Sequence, residues 1–396
     1  MASQRHNTPA IVAGGAFTAM ASLVGWAFLQ PGTLGMYRWG YGAPVLALAA
    51  LGIVPLAVAM AARFTRVRAP KVATVAGTVS IVLSVISVSG ALAASAFIFS
   101  NAYGTEAAAV RPAMIDPPKG PAPRRAGDGT ATLRVAMSSD PHWGREASNA
   151  EARSSILRLS QAEFEAGRLD AFFDLGDTVE TGMMASGWKD ALEDIHRYAP
   201  TLPFAALMGN HDALVGGQAR WKAAFGSSAW RIDSGPVHFI ALDLLWGPEG
   251  FGRKDLAWLG AQLSSIPADE WIVVLSHSFF YSSGYIDAET GKPWYDHEAM
   301  LREVAPVLAG KADLVVSGHN HYMEWLEADG TAWAVVGAMG GKPDPVPDYV
   351  SPRSVWISQG LFGRLVVELV PEGLACEFQD QAGIALFART IAKGKQ

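Results

Sequence analysis

The amino-terminal part of the chain is marked by long apolar stretches. Three of them, at residues 10–29, 43–62 and 72–99, contain no charged residue at all. Each is long enough to cross a hydrocarbon core of about 30 Å, which takes about 20 helical residues. The pattern therefore predicts three transmembrane helices within residues 1–100. A cleaved signal sequence is the alternative for the first stretch, although its apolar run is longer than a usual signal core.

A proline-rich segment follows, and no apolar period runs through it. Residues 101–131 contain five prolines, Pro112, Pro117, Pro118, Pro121 and Pro123. Such a composition is typical of a semi-extended linker. We therefore expect three parts in the chain: a membrane domain over residues 1–100, a linker over 101–131 and a globular domain over 132–396.

The globular part contains short apolar runs that each end in a polar cluster. The runs, which we predict to be strands, lie at 133–137, 171–175, 204–208, 271–275 and 313–316. Residues 148–166 and 254–263 carry apolar residues at helical spacing instead. Strands that alternate with helices predict an α/β fold, in which ligands collect beyond the carboxyl ends of the strands. Further strand-like runs in the tail, residues 363–388, are expected to complete a sheet.

The formal net charge of −6 hides two regions of opposite sign. Residues 1–131 hold ten Lys and Arg against three Asp and Glu, whereas the rest of the chain holds 21 against 34. An acidic body without a basic stripe argues against nucleic acid as a partner, because phosphate backbones are bound through clustered Lys and Arg. Cys376 is the one cysteine, so the chain cannot form an internal disulfide.

The distribution of basic residues among the loops predicts an orientation in the membrane. Arg63, Arg66, Arg68 and Lys71 lie between the second and third apolar stretches, whereas the first loop carries only Arg38. Loops rich in Lys and Arg stay in the cytoplasm. We therefore expect an integral membrane protein with a cytoplasmic amino terminus and an extracytoplasmic globular domain.

The polar clusters that end the predicted strands share metal-ligating side chains. They comprise three carboxylates, one amide and five of the nine histidines of the chain: Asp140, Asp177, Asp212, Asn210, His142, His211, His277, His319 and His321. One histidine after a strand is usually a capping or packing residue, but independent capping does not explain five. Mixed nitrogen and oxygen donors suit Mn, Fe, Zn, Co or Ni and fit poorly with a thiolate or an all-oxygen calcium site.

The order and spacing of these clusters resemble the five motifs of the calcineurin-like metallophosphoesterase superfamily. The motifs are Asp140-x-His142, Gly176-Asp177, Gly209-Asn210-His211-Asp212, His277 and Gly318-His319-x-His321, and the match covers roughly residues 133–340. The resemblance implies a double β-sheet sandwich flanked by helices, with two metals at the strand ends. It also implies hydrolysis of a phosphomonoester or phosphodiester by metal-activated water.

The resemblance assigns a role to each residue. It implies that Asp140, His142 and His321 hold the first metal, that Asn210, His277 and His319 hold the second, and that Asp177 bridges both. His211 is implied to meet the substrate, with Asp212 orienting it.

The chain departs from the purple acid phosphatase branch at two positions. That branch has a tyrosine ligand three residues after the bridging aspartate, where this chain has Glu180, and a glycine in place of His142. We therefore expect two divalent ions (Mn, Fe, Zn or Co) rather than a ferric ion bound by tyrosinate.

Two classes of function remain at this point. The first is a membrane-anchored dimetal phosphoesterase with a phosphoester substrate, lipid-linked phosphate being one candidate; Arg145 is a candidate to bind the substrate phosphate. The second is a non-catalytic membrane receptor or interaction protein whose phosphoesterase-like body binds a ligand. Since degenerate relatives normally lose ligands, and no obligate protein partner is evident, the first is favoured.

The predicted orientation is testable with carboxyl-terminal fusions to alkaline phosphatase and to green fluorescent protein. We expect the phosphatase fusion to be active, because that enzyme works only outside the cytoplasm, and the fluorescent fusion to be dark. Fluorescence without phosphatase activity would overturn the orientation. A fusion made after residue 68, within the loop predicted to be cytoplasmic, serves as the control and should give the opposite signals.

Overall fold

The computed structural model describes most of the chain that follows the three apolar stretches. The described residues are Val75, Val82, 111–125, 131–214, 217–244, 250–288 and 291–393. Apart from Val75 and Val82, which are helical and exposed, the predicted membrane spans lie outside these residues. Within the described residues, no helix is long and apolar enough to cross a membrane. The chain divides into two compact units, Met1–Tyr103 and Gly104–Gln396, and the predicted domain boundaries stay predictions.

The second unit is built mainly from β-strands. In chain order they are β1 Arg124–Arg125, β2 Ala131–Thr132, β3 Arg134–Ser138, β4 Ala171–Asp174, β5 Phe204–Ala206, β6 Trp230–Ser234, β7 Val237–Ala241, β8 Trp271–Ser276, β9 Tyr285–Ile286, β10 Pro293–Trp294, β11 Leu314–Ser317, β12 Tyr322–Ala328, β13 Thr331–Val336, β14 Ser354–Gln359, β15 Gly363–Val370, β16 Gly373–Asp380 and β17 Ala385–Ile391. The five strands predicted from apolar runs are β3, β4, β5, β8 and β11, and these are confirmed.

The longer strands form two mixed sheets. The six-stranded sheet has the order β17-β16-β15-β3-β4-β5, with β3, β4 and β5 parallel and the three tail strands antiparallel to their neighbours. The seven-stranded sheet has the order β14-β12-β13-β11-β8-β7-β6, with β7, β8, β11 and β13 parallel. The tail therefore completes a sheet, as predicted. Two short hairpins, β1-β2 and β9-β10, lie outside both sheets.

Helices connect and flank the strands. They are α1 Ala150–Glu165, α2 Ala185–Tyr198, α3 Asn210–Ala213, α4 Gln218–Phe225, α5 Arg253–Ser264, α6 Glu298–Glu303 and α7 Ala305–Leu308. Two of them, α1 and α5, are the helices predicted from apolar spacing. Asn149 caps α1, because its side-chain oxygen accepts a hydrogen bond from the amide of Ala152 at 3.0 Å.

Alternate residues of the central strands enter two different apolar clusters. Val135 and Phe173 pack between the two sheets with residues of the seven-stranded sheet such as Phe239, whereas Phe172 packs against the helices. Strands buried on both faces need apolar residues at nearly every position, which is why they appear as continuous apolar runs in the sequence. The α/β double-sheet sandwich flanked by helices is therefore confirmed.

Residues 113–120, which we call the edge strap, run across one open side of the sandwich. Ile115 donates its amide hydrogen to the carbonyl of Phe204 at 2.8 Å, on the edge strand β5 of one sheet. Gly120 donates to the carbonyl of Asp233 at 3.0 Å, on the edge strand β6 of the other sheet. The strap thus satisfies backbone groups of two edges that would otherwise be open to unwanted pairing. It lies inside the segment that we predicted to be a semi-extended linker, and this part of the linker is packed on the globular domain.

The strap predicts a stability effect at Gly120. A Cβ atom there would lie 2.6 Å from Ile232 Cγ2 and 3.1 Å from the carbonyl oxygen of Asp233, so Gly120→Ala forces the strap away from β6. We expect a loss of about 1–3 kcal/mol of stability, measured by urea denaturation. Gly260→Ala, where a Cβ would meet nothing within 4 Å, is the matched control and should not destabilise. Equal stability of the two variants would show that the contact between the strap and β6 does not stabilise the protein.

Candidate metal centre

The predicted ligands follow the carboxyl ends of neighbouring parallel strands. Asp140 follows β3, Asp177 follows β4 and Asn210 follows β5 in one sheet. His277 follows β8 and His319 follows β11 in the other. Because the carboxyl ends of both sets of strands meet at the same end of the sandwich, side chains far apart in sequence converge there.

One group of ligand atoms is formed by Asp140, His142 and His321. Asp140 Oδ1 lies 3.4 Å from His321 Nε2 and 3.7 Å from His142 Nε2, and the two Nε2 atoms are 3.3 Å apart. Asp140 is fully buried, and its Oδ1 has no hydrogen-bond partner among the described residues. A buried carboxylate oxygen that faces two imidazole nitrogens at these distances fits a bound cation, which would satisfy all three atoms.

A second group is formed by Asp177, His277 and His319. His277 Nε2 lies 3.4 Å from Asp177 Oδ1, 3.2 Å from His319 Nδ1 and 3.1 Å from Asn210 Oδ1. The other oxygen of Asp177, Oδ2, lies 3.7 Å from His142 Nε2 of the first group. Asp177 therefore lies between the two groups, where a bridging ligand has to be.

Backbone carbonyl groups determine which nitrogen of several rings is available for a metal. His277 Nδ1 donates to the carbonyl of Leu175 at 2.9 Å, and His321 Nδ1 donates to the carbonyl of Lys342 at 2.5 Å. Because a carbonyl oxygen can only accept, both Nδ1 atoms carry a hydrogen, which leaves the Nε2 lone pair of a neutral ring for a metal.

Burial and neighbouring charges shift the pKa values of the site residues in opposite directions. Burial alone would lower the pKa of His142, but its contacts with Asp140 and Glu180 raise it to about 10. Burial acts in the same direction on His277, and the charge of Asp177 raises its pKa to about 9. Burial would raise the pKa of Asp177, but the charges of His277 and His211 lower it below its ordinary value. Protons on the histidines thus balance the carboxylates where cations would otherwise do so.

The backbone at the site is strained. Asp140, His142, Asp177 and His319 have φ angles of 60°, 49°, 53° and 74°, in the left-handed region that non-glycine residues rarely adopt. Each such residue costs about 1–3 kcal/mol and persists only where the surrounding structure imposes it. That four of the predicted ligands share this conformation indicates that the site is held in place by the fold.

Glycines permit the close approach of the strand ends. Gly176 has a φ of 101°, and a Cβ on it would lie 2.8 Å from His277 Nδ1. A Cβ on Gly209 would lie 2.2 Å from the amide nitrogen of Asp177. A side chain at either position would push apart the two ligand-bearing turns.

His211 forms a third group of ligand atoms with His142 and Asp177, but its relation to Asp212 differs from the expected one. His211 Nδ1 donates to the carbonyl of Glu180 at 2.6 Å, and its Nε2 lies 3.9 Å from Asp177 Oδ2. The Asp212 carboxylate instead accepts the amide hydrogens of Thr178, Val179 and Gly209. Asp212 therefore holds the turn that carries Asp177, and a backbone carbonyl orients the His211 ring. The orienting role that we assigned to Asp212 is corrected accordingly.

Two further groups have shifted pKa values because of burial. Burial lowers the pKa of His211 below its ordinary value, and the charge of Asp177 only partly opposes this. Burial and the neighbouring charge of Asp177 raise the pKa of Asp212 to about 7.

The structure adds residues that the motifs do not contain. Glu180 Oε2 lies 2.8 Å from His142 Nδ1 and 3.3 Å from Arg145 Nη1. Gly341 donates its amide hydrogen to the carbonyl of Asp140 at 2.7 Å, and a Cβ on it would lie 2.7 Å from His321 Cε1. The position of Glu180, three residues after Asp177, was a sequence signal, whereas nothing in the sequence pointed to Gly341.

Comparisons with known proteins agree with this fold. Residues 133–323 match the family model of the calcineurin-like phosphoesterases. The chain is similar to purple acid phosphatase PPD1 from yellow lupin (Lupinus luteus), with 17% identity over 69% of this chain and 55% of that one and a TM-score of 0.56. It is also similar to GAP50, the anchor in the inner membrane complex of Plasmodium, with 19% identity over 67% and 90% of the two chains and a TM-score of 0.51.

At these identities the likeness concerns the fold, and the chain spans about half the length of the lupin phosphatase. A comparison with curated proteins finds no match.

The raised pKa values predict that metal binding releases protons. Neutral pH is below the pKa values of His142 and His277, which are about 10 and about 9. Each ring is therefore protonated in the metal-free protein, and a metal must displace that proton. We expect Mn addition to acidify a weakly buffered solution and Mn affinity to rise with pH, measured by calorimetry in buffers of different ionisation enthalpy. The exposed His196 provides the control, since His196→Ala should release as many protons as the native protein. Release of no protons would contradict the assignment.

Proposed function

We propose that this chain, whose residues 133–323 match the family model of the calcineurin-like phosphoesterases, is a membrane-anchored dimetal phosphoesterase. The observation that carries the proposal is the arrangement of two groups of ligand atoms, one containing Asp140 and the other His277, on either side of Asp177. Its substrate is a phosphomonoester or a phosphodiester, because the same arrangement serves both.

The donor set is suited to two divalent ions. Asp140, His142 and His321 would hold one, Asn210, His277 and His319 would hold the other, and Asp177 would contact both; the mixed nitrogen and oxygen donors fit Mn, Fe, Zn or Co. When bound, such ions supply activated water and stabilise the charge that develops on the phosphoryl oxygens.

His211 is the candidate to move a proton. With Nδ1 donating to the carbonyl of Glu180, the ring directs Nε2 towards the side of the site on which Asp177 Oδ2 lies. Burial lowers the pKa of His211, which makes the protonated ring a stronger acid towards the leaving oxygen of the substrate. The carbonyl contact holds the ring in place, so no rearrangement is needed when the proton is transferred.

Arg145 is the candidate to bind the substrate phosphate. Its side chain is about one-third exposed, and its Nη1 lies 3.3 Å from Glu180 Oε2, next to the group that contains His142. A planar, partly exposed guanidinium group suits two phosphoryl oxygens. We propose that it contacts the non-bridging oxygens of the substrate.

Membrane anchoring rests on the sequence. The three uncharged stretches at residues 10–29, 43–62 and 72–99 support three spans, and the basic loop at 63–71 supports an extracytoplasmic catalytic domain. Three spans exceed what simple anchoring requires, which supports a lipid-linked phosphoester as one substrate candidate.

The second candidate function is a non-catalytic binding or anchoring protein. It is favoured by the fold likeness to the Plasmodium protein, which is described as an anchor in a membrane complex. The complete donor set argues against this function. Strained backbone at ligands such as Asp140 and His319 costs stability, and a protein without catalytic activity gains nothing from that cost.

The proposal is tested with the full-length chain in detergent, stripped of metal and resupplied with Mn. We expect hydrolysis of p-nitrophenyl phosphate or of bis-(p-nitrophenyl) phosphate, and the preferred ester identifies the substrate class. Asp177→Asn and His211→Ala should each lower kcat by about 10²- to 10⁴-fold, because one removes the bridging charge and the other the proton donor.

The exposed residues Asp190 and His196 supply matched controls, and Asp190→Asn and His196→Ala should keep full activity. Full activity in Asp177→Asn would contradict the site assignment. Turnover of detergent-dispersed lipid phosphates alone would select the lipid-linked substrate. Two bound metals without turnover of any ester would favour the binding protein.

A further inference from the structure

Glu180 makes contacts with three side chains of the site. Its Oε2 lies 2.8 Å from His142 Nδ1, 3.3 Å from Arg145 Nη1 and 3.8 Å from His211 Nδ1. Its own carbonyl oxygen accepts the hydrogen bond from His211 Nδ1. One residue therefore touches a predicted metal ligand, the candidate substrate-binding arginine and the candidate proton donor.

The Glu180 carboxylate lies on the far side of the His142 ring from the metal site. His142 Nε2 faces Asp140 and Asp177, whereas Nδ1 faces Glu180. A carboxylate that accepts the Nδ1 hydrogen keeps that hydrogen away from Nε2 and makes Nε2 a better ligand. Glu180 itself belongs to none of the groups of ligand atoms in the described residues, so its effect on a metal passes through His142.

The same carboxylate oxygen holds Arg145. The side chain of Arg145 is long, and the residue lies in a turn before α1, so without an anchor it would sample many rotamers. The contact with Glu180 keeps the guanidinium group beside the first group of ligand atoms. Glu180 and Arg145 are about equally exposed, at 27% and 32%, so the pair lies at the rim where a substrate phosphate enters.

The main chain holds Glu180 in position. Its amide donates to the carbonyl of Trp143 at 2.9 Å, and Trp143 in turn donates to the carbonyl of Thr178 at 2.9 Å. The segment that contains Trp143 is thus paired with the segment that contains Thr178 and Glu180. The contact between the Glu180 carbonyl and His211 does not depend on the side chain, so a substitution at Glu180 changes the His142 and Arg145 contacts while it leaves the His211 hydrogen bond.

We propose that Glu180 is a positioning residue that holds His142 for the first metal and Arg145 for the substrate phosphate. The Arg145 half rests on the proposed function, whereas the His142 half concerns metal binding alone. The two halves have separate readouts, so failure of one can be distinguished from failure of the proposed function.

The first experiment measures Mn bound to the full-length, metal-stripped chain as a function of free Mn. We expect Glu180→Ala to weaken one of the two Mn sites by about 10- to 100-fold, because His142 loses its acceptor. Glu180→Gln retains an amide oxygen that accepts from His142 Nδ1, and it should rescue most of that affinity. The exposed Glu146 gives the control, because Glu146→Gln makes the same charge change nearby. Equal Mn affinity in Glu180→Ala and Glu146→Gln, with equal thermal stability, would overturn the His142 half.

The second experiment measures KM and kcat of the Mn-loaded chain for the preferred p-nitrophenyl ester. Glu180→Gln removes the negative charge that holds Arg145, so we expect KM to rise by about 2- to 5-fold with kcat little changed. In an Arg145→Gln background the same substitution should leave KM unchanged, because the side chain through which it acts is gone. An equal rise in KM in both backgrounds would overturn the Arg145 half. Absence of turnover in the native chain would overturn that half together with the proposed function and leave the metal result standing.

Discussion

The structure depends on the gathering of several ionisable side chains at one buried place between the ends of two sheets. The groups of ligand atoms meet at this place, and the two oxygens of Asp177 face imidazoles that follow different strands. Removing charged groups from water is costly unless opposite charges compensate them. In the metal-free protein, protons on His142 and His277 provide that compensation. Divalent ions would provide it more fully, and the same charges therefore make this place a candidate metal site.

The other features of the site follow from this constraint. Left-handed backbone at Asp140 and His319, and glycines such as Gly176 and Gly209, allow the ligand-bearing turns to approach one another closely. Carbonyl groups of Leu175 and Lys342 then select the nitrogen that each ring presents. Such preorganisation requires a rigid frame, and two apolar clusters, one between the sheets and one beneath the helices, provide it.

The pair of His142 and Glu180 shows how this chain departs from the purple acid phosphatase branch. Where that branch has glycine and tyrosine, this chain has a histidine whose Nε2 faces the site and a carboxylate on its Nδ1. The two positions lie in paired segments and contact one another, so a change at one alters the environment of the other. The expectation of divalent ions in place of a tyrosinate-bound ferric ion follows from this pair.

Much of the fold was predictable from local sequence. Strands β3, β4, β5, β8 and β11 are apolar on both faces, which leaves an unambiguous run of residues, and each run ends where a polar turn begins. Strands β6 and β12 alternate or carry polar residues, so they were not predicted. The strap was taken for a linker because its prolines indicate extended chain but do not indicate what it pairs with.

The identity of the candidate ligands was likewise a property of the sequence, since motif order and spacing single out His142, Asn210 and His321 without coordinates. Only the tertiary structure decided how these side chains are held. That Asp212 serves the backbone, that a carbonyl orients His211 and that Glu180 connects His142 to Arg145 depend on contacts between segments that are about 30 residues or more apart. Motif spacing records which donors are present, but hydrogen bonds depend on distances between separate turns, which are determined by the packing of the strands that carry them.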